Sequence, residues 1–138
     1  MNLEHAINDR RSIRGFTDQP VSKELLEEVI ALANRAPSSM NTQPWHLHVL
    51  TGEPLERVRK GNTENMLAGV KPTRDIEDYS EYQGEHRKRQ IEIAVQLFEA
   101  MGIERHDAER RQDWVMRGFR QFDAPVSIVV CFDRSLLE

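Results

Sequence analysis

Between Lys23 and Leu50 the hydrophobic pattern of this chain changes from a helical period to a strand period, and the change is made across a single polar turn. Leu25, Leu26, Val29, Ile30 and Ala33 recur at the i, i+3/i+4 spacing that predicts an amphipathic helix over 23–34. Ser22 stands where a hydroxyl caps such a helix, and Glu24, Glu27 and Glu28 suit the positive end of its dipole. From Trp45 to Leu50 the residues alternate, with Trp45, Leu47 and Val49 on one side and His46 and His48 on the other, which predicts a strand. The connection is Ala36-Pro37-Ser38-Ser39-Met40-Asn41-Thr42-Gln43-Pro44, small and hydrogen-bonding, with Pro37 expected to end the helix. A polar turn between a helix and a strand is where a mixed α and β protein places a ligand.

The rest of the chain reads around this unit. A short helix is expected over 2–9, with Leu3, Ala6 and Ile7 on one face, and Asp18-Gln19-Pro20 reads as a turn. Thr51-Gly52-Glu53-Pro54 turns into a helix around 54–68, and 70–83, with Pro72, Tyr79 and Tyr82, reads as an irregular excursion. A helix over 85–102 carries Ile91, Ile93, Ala94, Leu97, Phe98 and Met101 and stops at Gly102. Asp107 is placed to cap another over 108–118, with Trp114 and Val115 inward. Val126 to Phe132 is a nearly continuous apolar run, the pattern of a strand covered on both faces. Two strands make a poor sheet by themselves, so the domain reads as unfinished at its C-terminal end. No repeat, low-complexity stretch or linker divides residues 1–138, which read as one domain.

Charge and composition narrow the function. The formal net charge of −4 argues against a general nucleic-acid or membrane-surface binder. No apolar run has the length of a membrane span, and the N-terminus has no signal-peptide pattern. Cys131 is the only cysteine, which precludes an internal disulfide and fits a cytoplasmic setting.

Two clusters carry chemistry. Arg10, Arg11, Ser12 and Arg14 offer planar guanidinium donors and a hydroxyl, which match a phosphate or a polyol chain. Each charge-assisted contact contributes about 1.5–3 kcal/mol. Taken alone, arginines that follow a helix offset its dipole and stay solvated, and that reading leads. Ser38, Ser39, Asn41 and Gln43 form the second cluster, whose amides and hydroxyls could satisfy a heteroaromatic edge of alternating donors and acceptors. Taken alone, they are ordinary turn residues; Pro44-Trp45 favours the ligand reading by anchoring the loop. His46 and His48 could begin a metal site, but no third ligand has suitable spacing, so no metal is expected. Tyr79, Tyr82 and Arg87-Lys88-Arg89 are expected at the surface. There is no nucleophile elbow, Walker loop or dinucleotide fingerprint.

Three segments, in order and at matching spacing, resemble the nitroreductase family of FMN enzymes. They are Arg10-Arg11-Ser12-Ile13-Arg14-Gly15-Phe16, the helix leading into Ala36–Trp45, and Arg117-Gly118-Phe119-Arg120-Gln121-Phe122-Asp123-Ala124-Pro125 before a strand. The 70–83 excursion and Met101-Gly102-Ile103 are similar to the nitrobenzoate-reductase-like branch, and the resemblance runs through essentially all 138 residues. It implies an α+β fold whose central, mainly antiparallel sheet is flanked by helices, with the C-terminal part of the family absent. It also implies a homodimer with FMN at the interface. Arg10, Ser12 and Arg14 would hold the phosphate and ribityl end, with Arg11 a weaker candidate. Pro37, Ser38, Ser39 and Asn41 would contact the same flavin from the other subunit, supported by Gln43, and Arg120 would point toward the ring. Gly118 stands where the branch often carries Asn.

The implied activity is ping-pong hydride transfer from NADH or NADPH to a nitroaromatic, quinone or similar electron-poor acceptor. The flavin supplies the chemistry, and no catalytic side chain is assigned. The alternatives are a flavin-binding or interaction module without turnover, and a reductive dehalogenase on the same fold. No nucleic acid or membrane partner is implied.

Overall fold

A computed structural model describes residues 2–71, 73 and 81–137. In chain order the helices are α1 (Leu3–Asn8), α2 (Lys23–Ala33), α3 (Gly52–Leu67), α4 (Gly84–Ala100) and α5 (Ala108–Phe119). The strands are β1 (Trp45–Thr51) and β2 (Val126–Phe132), and short 3-10 turns occupy Ser39–Asn41, Gln121–Asp123 and Arg134–Leu137. Two compact units arise, one of Met1–Lys60 with Gln121–Glu138, the other of Gly61–Arg120. Helices and an antiparallel strand pair make the α+β arrangement that the sequence implies. Tyr79 and most of the 70–83 excursion lie outside the described residues.

The first unit holds the sheet. β1 and β2 pair antiparallel, in register from Trp45 opposite Phe132 to Thr51 opposite Val126. Directly opposed residues share a face, so Trp45, Leu47 and Val49 stand with Phe132, Val130 and Ile128, and His46 and His48 with Cys131 and Val129. The expectation that β2 is covered on both faces is not met: Val129, Val130 and Phe132 are exposed, Val130 at 65%. The sheet has only these two strands among the described residues. An apolar run records what a strand can be packed against, and two strands alone supply little cover.

α2 forms as its pattern requires. The Ser22 hydroxyl accepts from the Leu25 amide at 3.2 Å. Leu26 and Ile30, one turn apart, are its half-buried line, while Leu25, Val29 and Leu32 are exposed. The helix ends before Pro37 acts. The Arg35 amide donates to Leu32 and the Ala36 amide to Ala33, i to i−3 bonds that tighten the chain into a turn. At the start of α3, Gly52 takes φ +50, a left-handed step that lets a strand run straight into a helix without an intervening turn. Leu55 on α3 is 1% exposed and is the most fully buried side chain among the described residues. Arg59, one turn further on, donates to the Ala124 carbonyl at the head of β2 and pairs with Glu56.

In the second unit, α4 closes with a Schellman arrangement. The Ile103 amide donates to Phe98 at 2.8 Å, the Gly102 amide donates to Glu99 at 3.0 Å, and Gly102 takes φ +61. Ile103 is thereby buried. Asp107 caps α5 by accepting from the Arg110 amide at 3.0 Å. The inward residue of α5 is Met116 and not Val115, which is exposed; Trp114 is half-buried. Tyr82 and Arg87-Lys88-Arg89 are exposed, as expected.

Candidate functional site

The turn between α2 and β1 is held by a dense set of local bonds. The Asn41 amide donates to the Ser38 carbonyl and the Thr42 amide to the Ser39 carbonyl, both at 3.1 Å. The Thr42 hydroxyl donates to the same Ser39 carbonyl at 3.0 Å. The Gln43 amide donates to the Ser38 hydroxyl oxygen at 2.9 Å. These bonds hold Met40, Asn41 and Gln43 at φ 49, 56 and 44. A residue with a Cβ costs roughly 1–2 kcal/mol in that region, and Asn tolerates it better than Met or Gln. Such outliers persist only where the surroundings over-determine them, and they concentrate at functional sites.

The turn is tied back to α2 through Asn34, which sequence reasoning did not single out. Its Oδ1 accepts from the Trp45 indole N–H at 2.9 Å, and its main-chain carbonyl accepts from the Gln43 side-chain amide at 3.5 Å. Asn34 stands one helical turn past Ile30, at the end of the Leu26–Ile30 line, and its amide donates to the Ile30 carbonyl as the helix C-cap. The available signal was a polar residue continuing an apolar stripe, followed by a tryptophan. Ile30, Asn34, Gln43 and Trp45 line a shallow depression completed by β1 residues His46–His48.

Part of this turn's hydrogen-bonding capacity is unspent. The Ser38 hydroxyl accepts from Gln43 and keeps its own proton for donation. The Asn41 side-chain amide is exposed and has no hydrogen-bond partner among the described residues. Ser39 is exposed, and Pro37 precedes the turn as an exposed residue.

Arg10, Arg11, Ser12 and Arg14 occupy an exposed, irregular segment after α1. The Arg11 guanidinium donates to the carbonyls of Asn8 and Arg10, and that of Arg14 to the Ser12 carbonyl at 3.5 Å. Arg10 makes no ion pair or hydrogen bond through its side chain among the described residues. None of these residues lines the depression beside Gln43. Arg120 belongs to the second unit, where its guanidinium pairs with Asp113 at 3.1 Å. Just after it, Gln121, Phe122 and Asp123 form a left-handed turn at φ 57, 53 and 55, which no glycine announced. The Ser127 hydroxyl donates to the Gln121 side-chain oxygen at 3.0 Å beside it. No group of three or more His, Cys, Asp and Glu side chains converges as a metal site among the described residues.

This geometry can be set beside known proteins. The family model described as "Nitroreductase family" matches residues 7–137, and the chain belongs to the nitroreductase family. Nitrobenzene nitroreductase of Ectopseudomonas oleovorans is 39% identical over 137 residues, covering 97% of this chain and 60% of that protein. The 4-nitrobenzoate reductase of Pseudomonas putida is 31% identical over 142 residues, covering 98% and 59%. Among solved structures, the FMN-dependent nitroreductase NfnB from Mycobacterium smegmatis, determined with NADPH, superposes with a TM-score of 0.84. It is 29% identical, with 95% of this chain and 59% of that one covered. The chain thus spans about three fifths of the length of the relatives it matches.

Proposed function

We propose that this chain binds FMN and serves an NAD(P)H-dependent reduction of nitroaromatic, quinone or similar electron-poor acceptors. The observation that carries the reading is the Ser38–Gln43 turn. It is a strained loop with unspent donors, inside the segment that matches the family. The names of the relatives, reductases of nitrobenzene and 4-nitrobenzoate, support the acceptor class.

The donor set fits a flavin mononucleotide. A phosphate demands charged, planar donors, and Arg10, Ser12 and Arg14, with Arg11 beside them, supply these from one exposed segment. The pyrimidine edge of a flavin demands both donors and acceptors. The Asn41 amide supplies both, the Ser38 and Ser39 hydroxyls add to them, and Gln43 supports the loop. Pro37 would pack against the ring system, and Arg120 would face it after giving up part of its pairing with Asp113. FMN held by these residues would supply the hydride-transfer chemistry of a ping-pong reaction between NAD(P)H and the acceptor. The work of the protein is to bind and orient. Donors fixed before reaction stabilise negative charge developing on the ring edge without reorganising.

The working form in this reading is a cytoplasmic homodimer. Residues 10–14 of one subunit and 37–43 of the other would meet the same flavin.

The test is the purified protein's colour and turnover. The expected result is a yellow protein with flavin absorbance that NADH or NADPH bleaches without acceptor in the absence of oxygen, and that turns over repeatedly under those conditions when a nitroaromatic or quinone is added. A protein that takes up no FMN from a stoichiometric mixture would sink the reading. One that binds it but never oxidises NAD(P)H would reduce it to flavin binding.

A further inference from the structure

The turn that carries Ser38, Ser39, Asn41 and Gln43 is internally bonded, but internal bonds fix only its shape. Its placement depends on what joins it to a rigid element. Asn34 makes that join with both of its oxygens. Its main-chain carbonyl receives the Gln43 side-chain amide at the last strained residue of the turn, and its side-chain oxygen receives the Trp45 indole N–H at the first residue of β1. Its own amide is held by Ile30, so the peg stands on the last turn of α2. Asn34 is exposed and contributes little packing.

We propose that Asn34 is a positioning residue for the cofactor loop: through Trp45 and Gln43 it fixes where the strained Ser38–Gln43 turn presents its donors. This rests on the reading that the loop binds flavin. Asn34 touches no ligand in this account and acts through its neighbours. The main-chain half of the join survives substitution, so the side-chain oxygen and the Trp45 indole are what a variant can remove.

The experiment compares Asn34→Ala, Asn34→Asp and Trp45→Phe in the full chain by two readouts. The first is amide hydrogen exchange over residues 38–43 in the protein without flavin. Asn34→Ala and Trp45→Phe should raise it by about tenfold, the loss expected for one hydrogen bond. Asn34→Asp keeps an oxygen at the same place and should restore protection, although an anion at a helix C-terminus lowers thermal stability. The second readout is affinity for FMN and for riboflavin. Because the loop is assigned to the ring and not to the phosphate, both should weaken together, again by about tenfold.

Combining Asn34→Ala with Trp45→Phe should cost no more than either alone. Unchanged exchange at 38–43 in Asn34→Ala would overturn the proposal whatever the flavin does. Additive losses in the double variant, or flavin affinity unmoved while the loop loosens, would overturn it as well. If the unaltered protein bound no flavin, the functional reading would fall, and the exchange comparison would still decide whether Asn34 places the loop. If Asn34→Ala did not fold, Trp45→Phe would carry both readouts.

Discussion

At the scale of single residues, burial and bonding separate side chains that look alike in sequence. Leu55 is one leucine among several, yet it is the only side chain fully enclosed among the described residues. Leu55→Ala should destabilise the protein by about 2–5 kcal/mol, the range for removing a buried leucine and leaving a cavity. Thermal or urea unfolding would measure it; a cost below about 1 kcal/mol would show that the site collapses freely or is not the packing centre. Arg59 is the polar counterpart. Its side chain is 15% exposed, and it joins α3 to the head of β2 by donating to Ala124. Its neighbour Arg57, 72% exposed, makes only an i, i+4 pair with Glu53 and contributes little. Of the candidate ligand residues, the serines and Asn41 could be named from type and spacing. Asn34 could not, because its role lies in whom it bonds across the turn.

At the scale of elements, side-chain caps were legible because they are local, whereas the end of α2 and the start of α3 fell elsewhere than Pro37 and the expected 51–54 turn. Ser22 and Asp107 act where the sequence places them. Asp107→Ala should cost about 0.5–2 kcal/mol and fray the first turn of α5. Circular dichroism across a melt would reveal it, and an unchanged melt would mean the cap is replaced by water without loss. A second local device lies after β2. Asp133 is exposed, and its carboxyl is held below the ordinary carboxylate pKa, first by the Ser135 amide at 2.8 Å, then by the Ser135 hydroxyl, with His46 a smaller contributor. A depressed folded pKa contributes stability that is present above the unfolded value and is lost as pH falls through the folded one. The Arg134–Leu137 turn should therefore hold at neutral pH and loosen under acid, below the usual carboxylate range. Asp133→Asn should remove that dependence; if amide exchange in the turn of the unaltered protein is the same at pH 3 and pH 7, the carboxylate does not organise it.

At the scale of the whole molecule, the described chain leaves much apolar surface uncovered. Leu25, Val29 and Leu32 on α2 and Val129, Val130 and Phe132 on β2 are all exposed. Apolar surface of this extent is what a partner subunit or additional strands would cover. If the flavin site is shared between subunits, variants damaged on opposite sides should rescue each other. Arg14→Ala and Asn41→Ala proteins, each poor in flavin binding, are mixed under conditions that exchange subunits. The hybrid dimer then contains one site with both halves intact, and flavin binding should return to about half of the sites in that hybrid. No recovery after exchange has been demonstrated would place residues 10–14 and 37–43 in separate or single-chain sites.

The sequence by itself determined the helices, both strands, the caps at Ser22 and Asp107 and the stop at Gly102, because those rest on periodicity and on residues that act within a few positions of themselves; the family followed from three motifs in order. The segments Arg10–Arg14 and Pro37–Gln43 are singled out as candidates by residue type together with the family resemblance, not by local pattern alone. Only the tertiary structure decided that β1 and β2 pair with each other, and that Met116 rather than Val115 turns inward. It alone showed that Met40, Asn41 and Gln43 are held left-handed without a glycine, and that Asn34 pins the turn. The strand pairing and the burial of Met116 depend on how the elements meet, and the turn depends on specific bonds among Asn34, Ser38, Ser39, Gln43 and Trp45 that a hydrophobic pattern does not encode. A hydrophobic pattern states which faces want cover; which atoms provide it is settled when the elements meet.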